Sequence, residues 1–160
     1  MSTSDVLADR NVVALAKQIV DSYHRVVSDR LVGIPDDAPD VRIAQALYEL
    51  PAVVLSHDGA ADPKFTFANL SGQKLFEYSW DVFLTLRSRQ SAEPEHRSNR
   101  ADMLERAASD GYISDYRGIR ISGSGRRFEI KNAVIWNVCD AQGNKVGQAA
   151  VFDQWEFLTD

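Results

Sequence analysis

Apolar positions along the chain follow two periods, one helical and one extended. Between Asp9 and Ser28, the residues Val12, Leu15, Ala16, Ile19, Val20, Tyr23, Val26 and Val27 recur at the spacing of one helical face. Asp9 is placed to cap the start of this helix. Arg25 and Arg30 lie near its end, where the helix dipole favours positive charge. Gly33 and Pro35 then stop the pattern. So wide a stripe must cover something, either the domain's own sheet or a second subunit. After a short acidic turn over Pro35–Pro39, Asp40 is expected to cap a second helix. It carries Ile43, Ala44, Leu47 and Leu50 on one side. Pro51 ends it, because the residue before a proline is pushed out of helical geometry.

Past Pro51 the period shortens. Ala52–Ser56 is an apolar, β-branched run, followed by a turn at His57-Asp58-Gly59, and Phe65–Ala68 alternates like a half-buried strand. Short helices are predicted over Leu70–Tyr78 and, capped by Ser79, over Trp80–Leu86. Arg87–Pro94 reads as irregular. A helix over Arg97–Ser109 carries Met103, Leu104, Ala107 and Ala108, with Gly111 suited to the left-handed position after it. The last third is strand. Ile119 and Ile121 alternate before the turn Ser122–Gly125. Phe128, Ile130, Val134, Trp136 and Val138 are expected on one face of a long strand, and Val146–Trp155 closes the set after a turn at Gly143. The order predicts an α+β fold, a five-stranded antiparallel sheet with helices gathered on one side and preceded by N-terminal helices. Residues 1–39 form the expected helical extension and 40–160 the domain proper.

Composition narrows the class. Of 160 residues, 44% are apolar and 26% charged, which suits one globular domain. No stretch approaches the ~20 apolar residues of a membrane span. The first residues lack the basic and apolar regions of an export signal. A single cysteine, Cys139, forms no internal disulfide, and the expected compartment is the reducing cytoplasm. A net charge of −5 argues against nucleic acid as a partner. Thirteen of the 18 basic residues are arginines, and nine of these lie between Arg87 and Arg127. Arginine grips carboxylates and phosphates with two parallel bonds, so this bias permits an anionic ligand; surface pairing with nearby acids is the simpler reading.

Several segments carry a family resemblance. Phe67-Ala68-Asn69-Leu70-Ser71-Gly72-Gln73-Lys74-Leu75-Phe76-Glu77-Tyr78-Ser79-Trp80 resembles the signature of PAS domains, in which a strand ends in Asn and a short helix follows. Gly147–Phe152, after the turn at Gly143, looks like the last PAS hairpin. Three further segments are similar to the PAS-related MEKHLA domain: Val53–Asp58, Ser88–Pro94 and Gly118–Phe128. The resemblance runs from about Leu47 to Trp155. MEKHLA domains occur at the C-terminus of plant class III homeodomain–leucine zipper factors and as short free-standing bacterial proteins, and the chain resembles the second kind. Nothing before Pro51 resembles a homeodomain, zipper or lipid-binding domain, so the transcriptional role is not carried over.

The chemistry-bearing residues point to binding and not to catalysis. In Ser56-His57-Asp58, neighbouring strand residues face opposite sides and cannot assemble a triad. His24, His57 and His96 lie on separate segments, none at metal-ligand spacing. The flavin-adduct cysteine of light-sensing PAS domains has no counterpart in Arg87–Pro94, and haem has one residue, His96, to support it. Gly123–Arg126 lies between strands and is a hairpin turn, not a phosphate loop. The resemblance implies a cavity between sheet and helices. Its candidate lining residues are Asn69, Trp80, Phe83, Arg89, Ser91, Arg120 and Trp136. Arg89 would anchor an acidic group and Ser91 would donate to it; the alternative is an Arg89–Glu93 pair with Ser91 as a helix cap. Arg120 joins only if its strand face points inward. The expected function is a non-catalytic sensory, ligand-binding or dimerisation module, with a small anionic molecule as ligand or a homodimer through the N-terminal helix. The cofactor is unassigned. An interaction domain without ligand, or an enzyme, is the alternative.

Overall fold

The computed structural model describes residues 2–27, 29–91, 105 and 111–159. Its elements are α1 Thr3–Leu7, α2 Arg10–Val26, α3 Asp40–Tyr48, β1 Val53–Asp58, β2 Phe65–Ala68, α4 Leu70–Phe76 and α5 Trp80–Phe83. A 3-10 turn over Ser88–Ser91 follows, then β3 Tyr112–Ile121, β4 Arg127–Cys139, β5 Lys145–Phe152 and β6 Gln154–Phe157. The helix expected over Arg97–Ser109, His96 and Glu93, the expected partner of Arg89, lie outside the described residues. Gly111 does adopt the left-handed φ of +88°.

All strand pairs are antiparallel, in the order β2-β1-β5-β4-β3. A sixth strand, β6, resumes beyond β5 and pairs with the first half of β4, Phe128 opposite Phe157. Short helices supply Leu75, Phe76 and Phe83 to a core on one face of the sheet, together with Phe128, Ile130 and Ile135. Helices α1 to α3 cover the opposite face with a second core around Ile19, Tyr23, Leu47, Phe67 and Trp136. The wide stripe of α2 thus finds its cover in the protein's own sheet. The Trp136 indole N–H donates to the Ile19 carbonyl at 3.1 Å, and the Ser22 hydroxyl accepts from the Cys139 N–H at 2.9 Å. Asp9 caps α2 as its sequence suggests, accepting from Asn11. Asp40 is instead the first residue of α3, behind Pro39.

One expectation for β4 needs correction. Phe128, Ile130, Val134, Trp136 and Val138 do not share a face, because Asn132 takes a left-handed φ of +54° and inserts an extra residue. Beyond it the alternation resets, so Ala133 and Ile135 join Phe128 and Ile130, while Val134, Trp136 and Val138 meet the N-terminal helices. A compensating bulge in β3 surrounds Asp115, at φ +56°, which restores the pairing of Ile113 with Ile135.

The β3–β4 turn is fastened to the end of α4. The Gly123 N–H donates to the Phe76 carbonyl at 2.8 Å, and the Glu77 carboxylate accepts from the hydroxyls of Ser122 and Ser124. Those two hydroxyls, Ser122 first, hold the Glu77 carboxyl below its ordinary range. A carboxyl depressed in the folded state contributes stability above its unfolded pKa, and that contribution disappears as pH falls through the depressed value. Glu77→Gln is therefore expected to flatten the acid limb of the stability curve below the ordinary carboxylate range. Thermal melts across the acid range check this, with unchanged steepness as the contrary result.

Candidate functional site

Strand β2 ends at Ala68 and the chain turns into α4 through Asn69, which is fully buried. Its side-chain oxygen accepts from the N–H groups of Val54 and Gly72, both at 3.0 Å. Its amide donates to the carbonyls of Leu47, Leu50 and Ala52. One side chain thus caps α4, satisfies carbonyls at the end of α3 and pins β1. Asn69 is a structural junction and does not line the cavity. Replacing it by Ala strands several buried backbone groups, and a loss of about 2–3 kcal/mol is expected in urea unfolding.

The cavity lies on the face of the sheet that α4 and α5 cover, with a volume of about 60 Å³. Leu55 of β1, Phe65 of β2, Phe76 of α4, Ile130 and Ile135 of β4 and Phe152 of β5 give it apolar walls. Most of its polar side chains are bonded within the protein. The Ser56 hydroxyl meets that of Thr66 at 2.7 Å, Ser91 donates to the Ser88 carbonyl at 3.0 Å, and Gln148 donates to Asn137 at 3.3 Å. His57 engages the Asp58 carbonyl through Nδ1.

Arg120 differs. It lies on β3 facing inward, with 7% of its surface exposed. One guanidinium nitrogen donates to the neighbouring Ile119 carbonyl at 2.9 Å and the other to the Tyr116 hydroxyl at 2.8 Å. Among the described residues no carboxylate stands within ion-pairing distance of it, and none lines the cavity. Gly118 makes this convergence possible. A Cβ there would stand 2.7 Å from the Tyr116 hydroxyl and 2.9 Å from the Arg120 guanidinium. Gly118→Ala is therefore expected to displace both groups with little change in far-UV circular dichroism.

The remaining sequence candidates separate. Ser91 and Arg120 come together on the cavity wall. Arg89 does not reach it: its side chain is 56% exposed and pairs with Asp62 at 3.0 Å. Phe83 stands behind the wall, edge-on to Phe65 at 4.8 Å. Trp80 packs with Tyr48 and Phe67, and Trp136 with Tyr23, so both belong to the core under the N-terminal helices. The bulge at Asn132 is why Trp136 lies on the far side of the sheet. Sequence reasoning missed Tyr116, Ser88 and Gln148. Tyr116 was legible in principle, since Tyr116, Gly118 and Arg120 share one face at period two. Elsewhere, His24 bridges Asp36 and the Leu31 N–H, and the described residues hold no cluster of potential metal ligands.

A sheet in this order, with short helices over a cavity on one face, defines a PAS-like domain. Solved structures bear this out at the level of the fold. A PAS domain from Colwellia psychrerythraea matches with a TM-score of 0.62 at 13% identity, over 74% of this chain and 95% of that one. A light-oxygen-voltage domain studied with a flavin analogue matches at 0.57 and 16% identity, over 74% of this chain and 86% of that one. Residues 13–157 match the model of the MEKHLA domain, and the chain belongs to that family. Relatives include the homeobox-leucine zipper protein HOX29 of Oryza sativa subsp. japonica, 27% identical over 146 residues, and HOX9 of subsp. indica, 26% identical over 144. The match covers 90% of this chain but only 17% of each of these relatives.

Proposed function

We propose that this protein is a non-catalytic sensory module that holds a small molecule with an anionic group in the cavity beside Arg120. The observation that carries this reading is a buried guanidinium, without a carboxylate among the described residues, on the wall of an apolar cavity. Burying a charge without a counter-ion is costly, and an anionic ligand removes that cost. The flavin analogue of the light-oxygen-voltage structure belongs to that protein; a cavity of about 60 Å³ favours a far smaller ligand here.

Dimerisation through the N-terminal helix is the weaker reading. The α2 stripe that would serve it, from Ala16 to Tyr23, is buried in the protein's own core. A single cysteine and a net charge of −5 suit a cytoplasmic protein that does not bind nucleic acid. Native mass spectrometry of the freshly purified chain tests the reading. A retained small-molecule mass, lost in Arg120→Met, supports it. A bare protein whose melting temperature responds to no small anion contradicts it.

A further inference from the structure

Resting on the ligand-binding reading, we infer that the cavity selects short aliphatic monocarboxylic acids, held by Arg120 and Tyr116. Charge sets the first limit. Among the described lining residues Arg120 is the one permanently charged side chain, so a single negative charge is balanced. A second would lie uncompensated against Leu55, Phe76 and Ile135.

Hydrogen-bond inventory sets the second limit. A guanidinium carries five N–H donors in one plane. Two of Arg120's are used, on Ile119 and Tyr116. The rest suit the two oxygens of a carboxylate. The Tyr116 hydroxyl accepts from Arg120, so its own proton remains for the same anion. Ser56, Ser91 and Gln148 already have protein partners. The site therefore offers one charged anchor, with the Tyr116 hydroxyl beside it, on a wall whose other named polar side chains are engaged within the protein and whose remainder is hydrocarbon.

Size sets the third. With ~10–15 Å³ needed per water-sized occupant, a cavity of about 60 Å³ takes about four to six such atoms. Counting the two carboxylate oxygens among these atoms, that is the scale of an acid of about two to four carbons. Phosphate would present more charge than one guanidinium balances and would leave the apolar walls unused.

Titration calorimetry of the full chain at fixed ionic strength tests this, using acetate, propionate, butyrate, valerate and hexanoate, with butyramide, succinate and inorganic phosphate for comparison. Affinity is expected to rise about 3–4-fold per methylene until the cavity is full, and then to fall. Butyramide, succinate and phosphate are each expected to bind at least about tenfold more weakly than butyrate, the order of one lost charged hydrogen bond. Arg120→Gln should abolish the preference for butyrate over butyramide. If succinate, phosphate or butyramide matches butyrate, the monocarboxylate assignment fails while the binding reading stands. If none of these compounds binds and the purified protein retains no small molecule, the binding reading itself fails.

Discussion

Truncating Trp136 to alanine is expected to cost about 3–5 kcal/mol of stability, the range for deleting a large buried aromatic. Trp136 is fully buried, stands edge-on to Tyr23 at 4.8 Å and donates its indole N–H to the Ile19 carbonyl. Its removal opens a cavity between β4 and α2 and deletes the indole hydrogen bond to a carbonyl in the interior of α2. For a chain of this length each kcal/mol moves the melting temperature by ~2–4 °C, so a fall of about 6–20 °C is expected. Trp136→Phe keeps much of the packing and loses the hydrogen bond, and should cost less. Urea unfolding followed by far-UV circular dichroism measures both. A loss below about 1 kcal/mol for Trp136→Ala, well under the usual cost of such a truncation, would mean that α2 does not depend on this contact.

That role for Trp136 shows how much of the fold was legible in the sequence. The amphipathic stripe of α2, the N-caps at Asp9 and Ser79 and the extended run Phe65–Ala68 were plain from local pattern, and all appear in the structure. The faces of β3 and β4 were not. Strand periodicity gives a face only until a bulge, and two left-handed residues, Asp115 and Asn132, reset it. Asp and Asn are the non-glycine residues that most readily take this conformation, but one such residue inside an alternating run does not by itself mark a bulge. Trp136 was consequently assigned to the cavity and lies behind it. Arg89 is placed away from the cavity for a different reason: it pairs with Asp62, 27 residues away in the chain, and no local pattern reports such a pairing. Asn69 was recognised from a motif, which marked the position as important without revealing that its work is to join α3, β1 and α4. Arg120 was found because its inward orientation was one of only two alternatives.

Replacing Arg120 by methionine is expected to separate stability from binding. Ligand affinity should fall at least ~30-fold, since truncating one partner of a buried charged pair costs about 2–5 kcal/mol. The ligand-free variant should meanwhile be as stable as the parent, or more stable by about 1–3 kcal/mol, because an apolar side chain replaces a buried charge that has no counter-ion among the described residues. This opposition is what a binding residue kept at the expense of stability produces. A purely structural arginine would behave differently, with its loss destabilising the fold and leaving binding as it was. Chemical denaturation and calorimetry on the same preparation distinguish the two.

Binding of a small anion in the cavity beneath α4 and α5, anchored by Arg120, has one direct spectroscopic consequence. Titrating butyrate into isotope-labelled protein and following the Arg120 Nε–H and the methyl groups of Ile130 and Ile135 by NMR tests it most directly. Saturable shifts at all three, together and absent from the α2 face, are the predicted result. Shifts confined to surface residues such as Arg87 and Arg126, or none at these three groups up to millimolar butyrate, would contradict it.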